Sequence, residues 1–156
     1  MLKRKPDVVI GPPDNPYMER WHLIPRNKWF SVYLHKISRS DDDRALHDHR
    51  ADNLSIILKG SYIEHTYAFW DSPRLFANGY TSQTYDFIKA GMVRFRKAET
   101  PHRLELPIDA SGKEVPVWTL WIKFKERREW GFWPDNVWMH WQSYLRKYDS
   151  MESNYK

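Results

Sequence analysis

Between residues 29 and 124, short stretches of strand-like apolar and polar patterning are separated by polar loops. From Asn27 onward, Trp29, Ser31, Tyr33, His35 and Ile37 alternate with Phe30, Val32, Leu34 and Lys36, which predicts a strand buried on at least one face. Residues 53–58 form a short run of branched apolar residues that meets Lys59-Gly60, a hairpin turn, and residues 61–69 return as its partner. Strands are expected over 84–88, 92–97, 102–106 and 117–124, with Gly91 as the turn between the first two. The polar stretches 38–44, 71–82 and 108–116 read as loops. After Gly131-Phe-Trp-Pro134 the period changes. Val137, Trp141, Tyr144, Leu145 and Tyr148 fall on one helical face, with Asp135 or Asn136 as the cap. Seven or so short strands followed by one helix predict an all-β antiparallel barrel or sandwich.

Composition narrows this. A chain of 156 residues is one domain's worth. Four of the ten prolines (Pro6, Pro12, Pro13, Pro16) lie in the first twenty residues. Residues 1–27 therefore read as an extended arm, 28–125 as the barrel, and 126–156 as an aromatic segment ending in the helix. Nine Trp, nine Tyr and seven Phe favour pleated, half-buried surfaces. With no cysteine, disulfides, thiolate metal sites and cysteine nucleophiles are excluded, so a metal must be held by His, carboxylate or amide groups. The apolar run Val8-Val9-Ile10 is too short for an export signal, and no run reaches membrane length, so the expected location is the cytoplasm.

Twenty-five Lys+Arg against 20 Asp+Glu leave a net charge of +5. Lys3-Arg4-Lys5 and the group Lys123, Lys125, Arg127 and Arg128 raise nucleic-acid binding as a third reading. The modest excess and the interrupting Glu126 and Glu129 argue against it. Six of the nine tryptophans lie between 118 and 141. They either stack on a flat ligand or, with a helix carrying Trp141, Tyr144 and Tyr148, seal the outside of the barrel.

The chemistry lies in the histidines. Alternation points His47 and His49 of His47-Asp-His49 to one side. In a closed antiparallel barrel, distant strands face a common interior, so His102 can complete a three-nitrogen cluster with them. The spacing His47-x-His49-x3-Asn53-x6-Gly60 resembles the first motif of the cupin family, Gly-x5-His-x-His-x3or4-Glu-x6-Gly. The spacing Gly91-x5-Lys97-x-Glu99-x2-His102-x3-Leu106 resembles its second, Gly-x5-Pro-x-Gly-x2-His-x3-Asn. Asn53 stands at the glutamate position, Lys97, Glu99 and Leu106 replace the second motif's proline, glycine and asparagine, and Asp41 falls where the first glycine belongs. Ala45-Leu-His-Asp-His49, Trp118-Thr-Leu and Arg128-Glu-Trp-Gly-Phe132 are similar to a pattern in small bacterial and phage cupin-like (RmlC-like) proteins.

The resemblance implies a double-stranded β-helix, the jelly-roll barrel, with the C-terminal helix packed outside it. It implies a divalent metal (Fe(II), Ni, Zn or Mn) on His47, His49 and His102, with Asn53 as a weaker fourth ligand and Asp52 as its rival. Tyr62, Glu64 and Arg96 are the candidate catalytic residues. Arg94 and Arg96 either line the pocket or leave it to Val93 and Phe95, and Tyr62 and Glu64 either reach it or lie on a solvated face. His35 is a pocket residue or a core histidine. Two functions follow from the resemblance: an Fe(II)-type dioxygenase or hydroxylase acting on a small polar or anionic molecule, or a non-catalytic module binding a small ligand or partner. A homodimer is the expected assembly, with no membrane association.

Overall fold

The structure, a computed structural model, describes residues 4–25, 27–41, 45–68 and 82–148. Among these residues the strands are β1 (Val8–Ile10), β2 (Met18–His22), β3 (Ser31–Ile37), β4 (Leu46–His47), β5 (Asn53–Lys59) and β6 (Ser61–Tyr67), then β7 (Gln83–Lys89), β8 (Val93–Arg96), β9 (His102–Glu105), β10 (Val117–Lys123), β11 (Gly131–Trp133) and β12 (Met139–His140); one helix follows, α1 (Trp141–Tyr148). They form two six-stranded sheets, ordered β1-β2-β3-β10-β5-β8 and β12-β11-β4-β9-β6-β7. Every strand pairing is antiparallel. From β3 to β11 the chain changes sheet at every connection except β6 to β7. The result is an antiparallel double-stranded β-helix.

One end of the space between the sheets is filled by Met18, Ile37, Ile57, Tyr62, Ile88, Leu106 and Val117. The β5–β6 turn depends on Gly60. Its φ is +84°, and a Cβ there would lie 2.8 Å from the Pro116 carbonyl oxygen, so a side chain is excluded both by conformation and by space. The other end of the barrel stays open and polar, and the site lies there.

The expected strands are all present, and three segments differ from the sequence reading. The proline-rich arm contributes two strands, β1 and β2, and β2 pairs with β3 along its whole length. The prolines lie outside both strands, so the ladder loses no donor. At the other end the helix begins only at Trp141. Asp135 and Asn136 have positive φ in a single 3-10 turn, β12 intervenes, and Val137 is exposed instead of lying on a helical face. The cap is the His140 imidazole, whose Nδ1 accepts the Gln142 N–H at 3.3 Å. β11 joins β4, so the C-terminal segment is part of the second sheet. Helix α1 packs over it, with Tyr144 and Leu145 against Ala45 and Phe132. The expected loop at 71–82 and the basic arm at Lys3 fall, apart from Ser82, outside the described residues, as does everything after Tyr148.

Candidate metal centre

Strand pairing assembles the cluster. β4 and β9 meet through His47 and His102, which are directly opposed. Their rings lie 4.9 Å apart, and the His49 ring, two residues along, lies 5.0 Å from that of His102. One ligand atom from each of the three histidines lies within 4.8 Å of the others. The His49 and His102 Nε2 atoms are 2.7 Å apart. Burial, and then the neighbouring imidazoles and Arg96, keep His49 far below the ordinary histidine range; burial and the Arg96 charge bring His102 down to about 4. All three nitrogens of this donor set belong to imidazoles, and the depressed pKa values keep His49 and His102 neutral near pH 7, the form that ligates. These residues fit a divalent transition metal.

Glu64 holds the cluster from behind. On β6 it stands opposite Leu104, diagonal to His102, and its Oε1 lies 2.9 Å from His102 Nδ1. That contact fixes the tautomer that leaves Nε2 with its lone pair toward His49. Arg96 donates to the same carboxylate, to Tyr62 Oη at 3.1 Å and to Ser55 Oγ at 3.3 Å. Burial would raise the Glu64 pKa, but the His102 hydrogen bond and the Arg96 charge outweigh it and hold the carboxyl well below its usual range. Tyr62, Glu64 and Arg96 are thus brought together in the interior. Of the two orientations open for β8, Arg96 points in and lines the cavity, Arg94 on the same face is partly exposed and pairs with Asp86 and Glu64, and Val93 and Phe95 face outward.

The remaining candidates have other duties. Asn53 is fully buried, but its amide oxygen accepts the Trp121 indole N–H at 3.1 Å and its nitrogen donates to the Ala51 carbonyl. It positions Trp121, and its oxygen is already engaged. Asp52, the rival ligand, stands just before β5 and accepts from Ala98 N and Arg127, each at 2.7 Å, away from the three histidines. His35 is buried in the cavity wall, and its Nε2 accepts from Arg20 Nε at 2.9 Å.

Trp121 lines the cavity. Trp133 and Trp138 donate their indole N–H groups to Asp48, the residue between the two histidines. Asp48 is fully buried and also accepts from Gly131 N and Arg128, so it ties the His-Asp-His segment to the C-terminal strands. Three of the four basic residues pair within the chain, Lys123 with Glu126, Arg127 with Glu99 and Asp52, and Arg128 with Asp48, while Lys125 lies 6.0 Å from the Trp29 ring. Sequence reasoning missed Asp48, Asp41 and Arg20. Asp41 is buried, accepts from Leu104 N at 2.6 Å and lies 3.8 Å from His47 Nδ1. Arg20 shares strand parity with Met18, a signal hidden by reading the first residues as an arm.

The arrangement of strands and the polar open end decide the family of folds. The fold is that of the cupins. Fe(II)-HppE with the alternative substrate (S)-1-HPP superposes with a TM-score of 0.50 and 12% identity, over 80% of this chain and 60% of that one, so this chain spans about three-fifths of that protein's length. A protein with a double-stranded β-helix domain from Klebsiella pneumoniae shares 14% identity over 79% of this chain and 90% of that one, at a TM-score of 0.49. A cupin-2 domain containing protein from Shewanella frigidimarina shares 11% identity over 69% of this chain and 80% of that one, at 0.45. No protein-family model matches the chain, and no curated protein matches it by sequence. Among the described residues, no helix is long and apolar enough to cross a membrane.

Proposed function

We propose that this cupin binds one divalent metal ion through His47, His49 and His102, with Fe(II) foremost among Fe(II), Ni, Zn and Mn, and acts as an oxygen-using dioxygenase or hydroxylase on a small polar or anionic molecule. The observation that carries the reading is the cluster itself: three imidazole ligand atoms within 4.8 Å, backed by a buried carboxylate on His102. When bound, the metal supplies a Lewis-acid centre with open positions for a small ligand and dioxygen. Glu64 holds His102 at Nδ1, and Arg96 keeps Glu64 ionised. Tyr62 accepts from Arg96, and burial raises its pKa, so Oη keeps its proton for a group in the cavity. Further, we propose a homodimer formed through the outer face of the sheet that contains β5, β8 and β10.

Metal analysis of protein purified without a histidine tag tests the centre. One equivalent of metal is expected in the native chain and almost none in His47→Ala or His102→Ala; metal content unchanged by both substitutions would sink the assignment. A second reading, a non-catalytic ligand-binding module, is favoured by Asn53, a neutral amide where the resemblance has a glutamate. Oxygen uptake by Fe(II)-loaded protein with small organic acids separates the two: consumption that depends on His47 supports the enzyme, and none across the panel supports the module.

A further inference from the structure

The cavity above the three histidines has a volume of about 340 Å³, at the small end of the range for small-molecule sites. Among its cations, Arg96 is tied to Glu64, Arg50 lies 3.3 Å from Glu129, and Lys123 pairs with Glu126. Arg20, on β2, forms no ion pair with any described residue. Its Nε donates to His35 Nε2, and its two terminal amino groups make no hydrogen bond to the described residues. His35 is no counter-ion, because burial and the Arg20 charge keep it neutral. Arg20 is half-buried and lines the cavity, where a guanidinium without an ion-pair partner favours an anionic ligand.

The surroundings define what would pair with it. The Arg20 guanidinium lies 4.8 Å from the Tyr33 ring and 5.9 Å from that of Trp121. Tyr33 stacks near-parallel with both His35 and Trp121, with interplanar angles of 13° and 18°, so the three rings form a stacked aromatic row along the cavity. Trp121 extends it to within 6.0 Å of the His49 ring. Met18, Ile37 and Leu104 supply an apolar lining. A single planar fork of donors matches two coplanar oxygens and neutralises one negative charge. A phosphate or phosphonate dianion would leave one charge over.

We propose that Arg20 is a carboxylate subsite: a small organic acid binds with its carboxylate on the terminal amino groups of Arg20, its body along Trp121, and its far end toward His47, His49 and His102. This names the substrate class of the function proposed above and rests on it for the ligand being a substrate; the binding itself requires only the cavity.

The test uses EDTA-treated protein, so that no metal can take the carboxylate. Benzoate, benzamide and phenylphosphonate are titrated by calorimetry and by ligand-observed NMR. Benzoate is expected to bind at least about tenfold more tightly than either of the other probes, a preference that falls to within about twofold in Arg20→Gln. Arg20→Lys keeps the charge without the fork and is expected to lose about threefold or more. Circular dichroism establishes that each variant is folded; if Arg20→Gln is not, the wild-type selectivity and Arg20→Lys still decide. Equal binding of benzoate and benzamide, tighter binding of phenylphosphonate, a preference that survives loss of the guanidinium, or no benzoate binding would each overturn the subsite. Benzoate binding in protein that takes up no metal would overturn the metal centre alone, and metal uptake without benzoate selectivity would overturn Arg20 alone.

Discussion

Glu64 is where the polar interior is most exposed to single changes. Its carboxylate serves His102 and Arg96 together, and both it and Arg96 are only 6% exposed. An amide in its place would still reach His102 but would leave a buried guanidinium without its counter-charge, which typically costs about 3–5 kcal/mol. Glu64→Gln is therefore expected to lower the urea unfolding midpoint substantially. It should also weaken metal binding by roughly 10–100-fold, because the group that orients His102 loses its charge. Urea melts and competition with a chromophoric chelator measure the two effects. An affinity within twofold of wild type would mean that Glu64 does not orient the ligand.

At the scale of elements, β5 and β8 invert the usual polarity of a barrel strand. Asn53, Ser55 and Arg96 are buried on the inner face, with Arg94 partly exposed on the same side, and the intervening Leu54, Ile56, Leu58, Val93 and Phe95 point outward. Leu58, Val93 and Phe95 are each more than half exposed, and Phe124 adds to the same region beside Phe95. Antiparallel sheets normally present polar residues on the solvated face, and contiguous exposed apolar area marks an interaction surface. A flat apolar sheet face is matched by another of its kind across a two-fold axis, which is the basis for the proposed homodimer. Sedimentation velocity should give a dimer for the native chain and a monomer for Phe95→Asp, with an unchanged circular dichroism spectrum. A native chain that sediments as a monomer at high concentration removes the dimer.

For the molecule as a whole, buried neutral histidines set the acid limit. Burial, with the Arg20 charge, lowers the His35 pKa well below 6.5 in the folded chain, and burial acts first on His49 and His102 in the same direction. The unfolded chain takes up protons near pH 6.5 and the folded chain only well below it. The folded state is thus favoured fully above that value and loses stability as pH falls beneath it. Urea midpoints of metal-free protein are expected to be level from pH 8 to 7 and to fall steadily from pH 6.5 toward 4.5. The slope should shrink in His35→Phe. A flat profile between pH 7 and 5 would contradict the burial of these imidazoles.

Much of this was legible in the chain. Alternation placed seven strands within a few residues of their ends, because a period of two is a local property of the backbone. The spacing of His47, His49 and His102 marked the cluster, and Gly60 stands at a turn where no side chain fits. Sequence alone established which residues share a face of a strand. It did not establish which face is inside. Along β5 and β8 the apolar side faces out, so the rule that buries hydrophobic residues points the wrong way, and Arg96 and Glu64 lay open between interior and surface. Nor did it show that His47 pairs with His102, or that Arg20 enters the cavity from a strand hidden among prolines. Those facts come from strand pairings between distant parts of the chain, settled by the closing of the whole barrel.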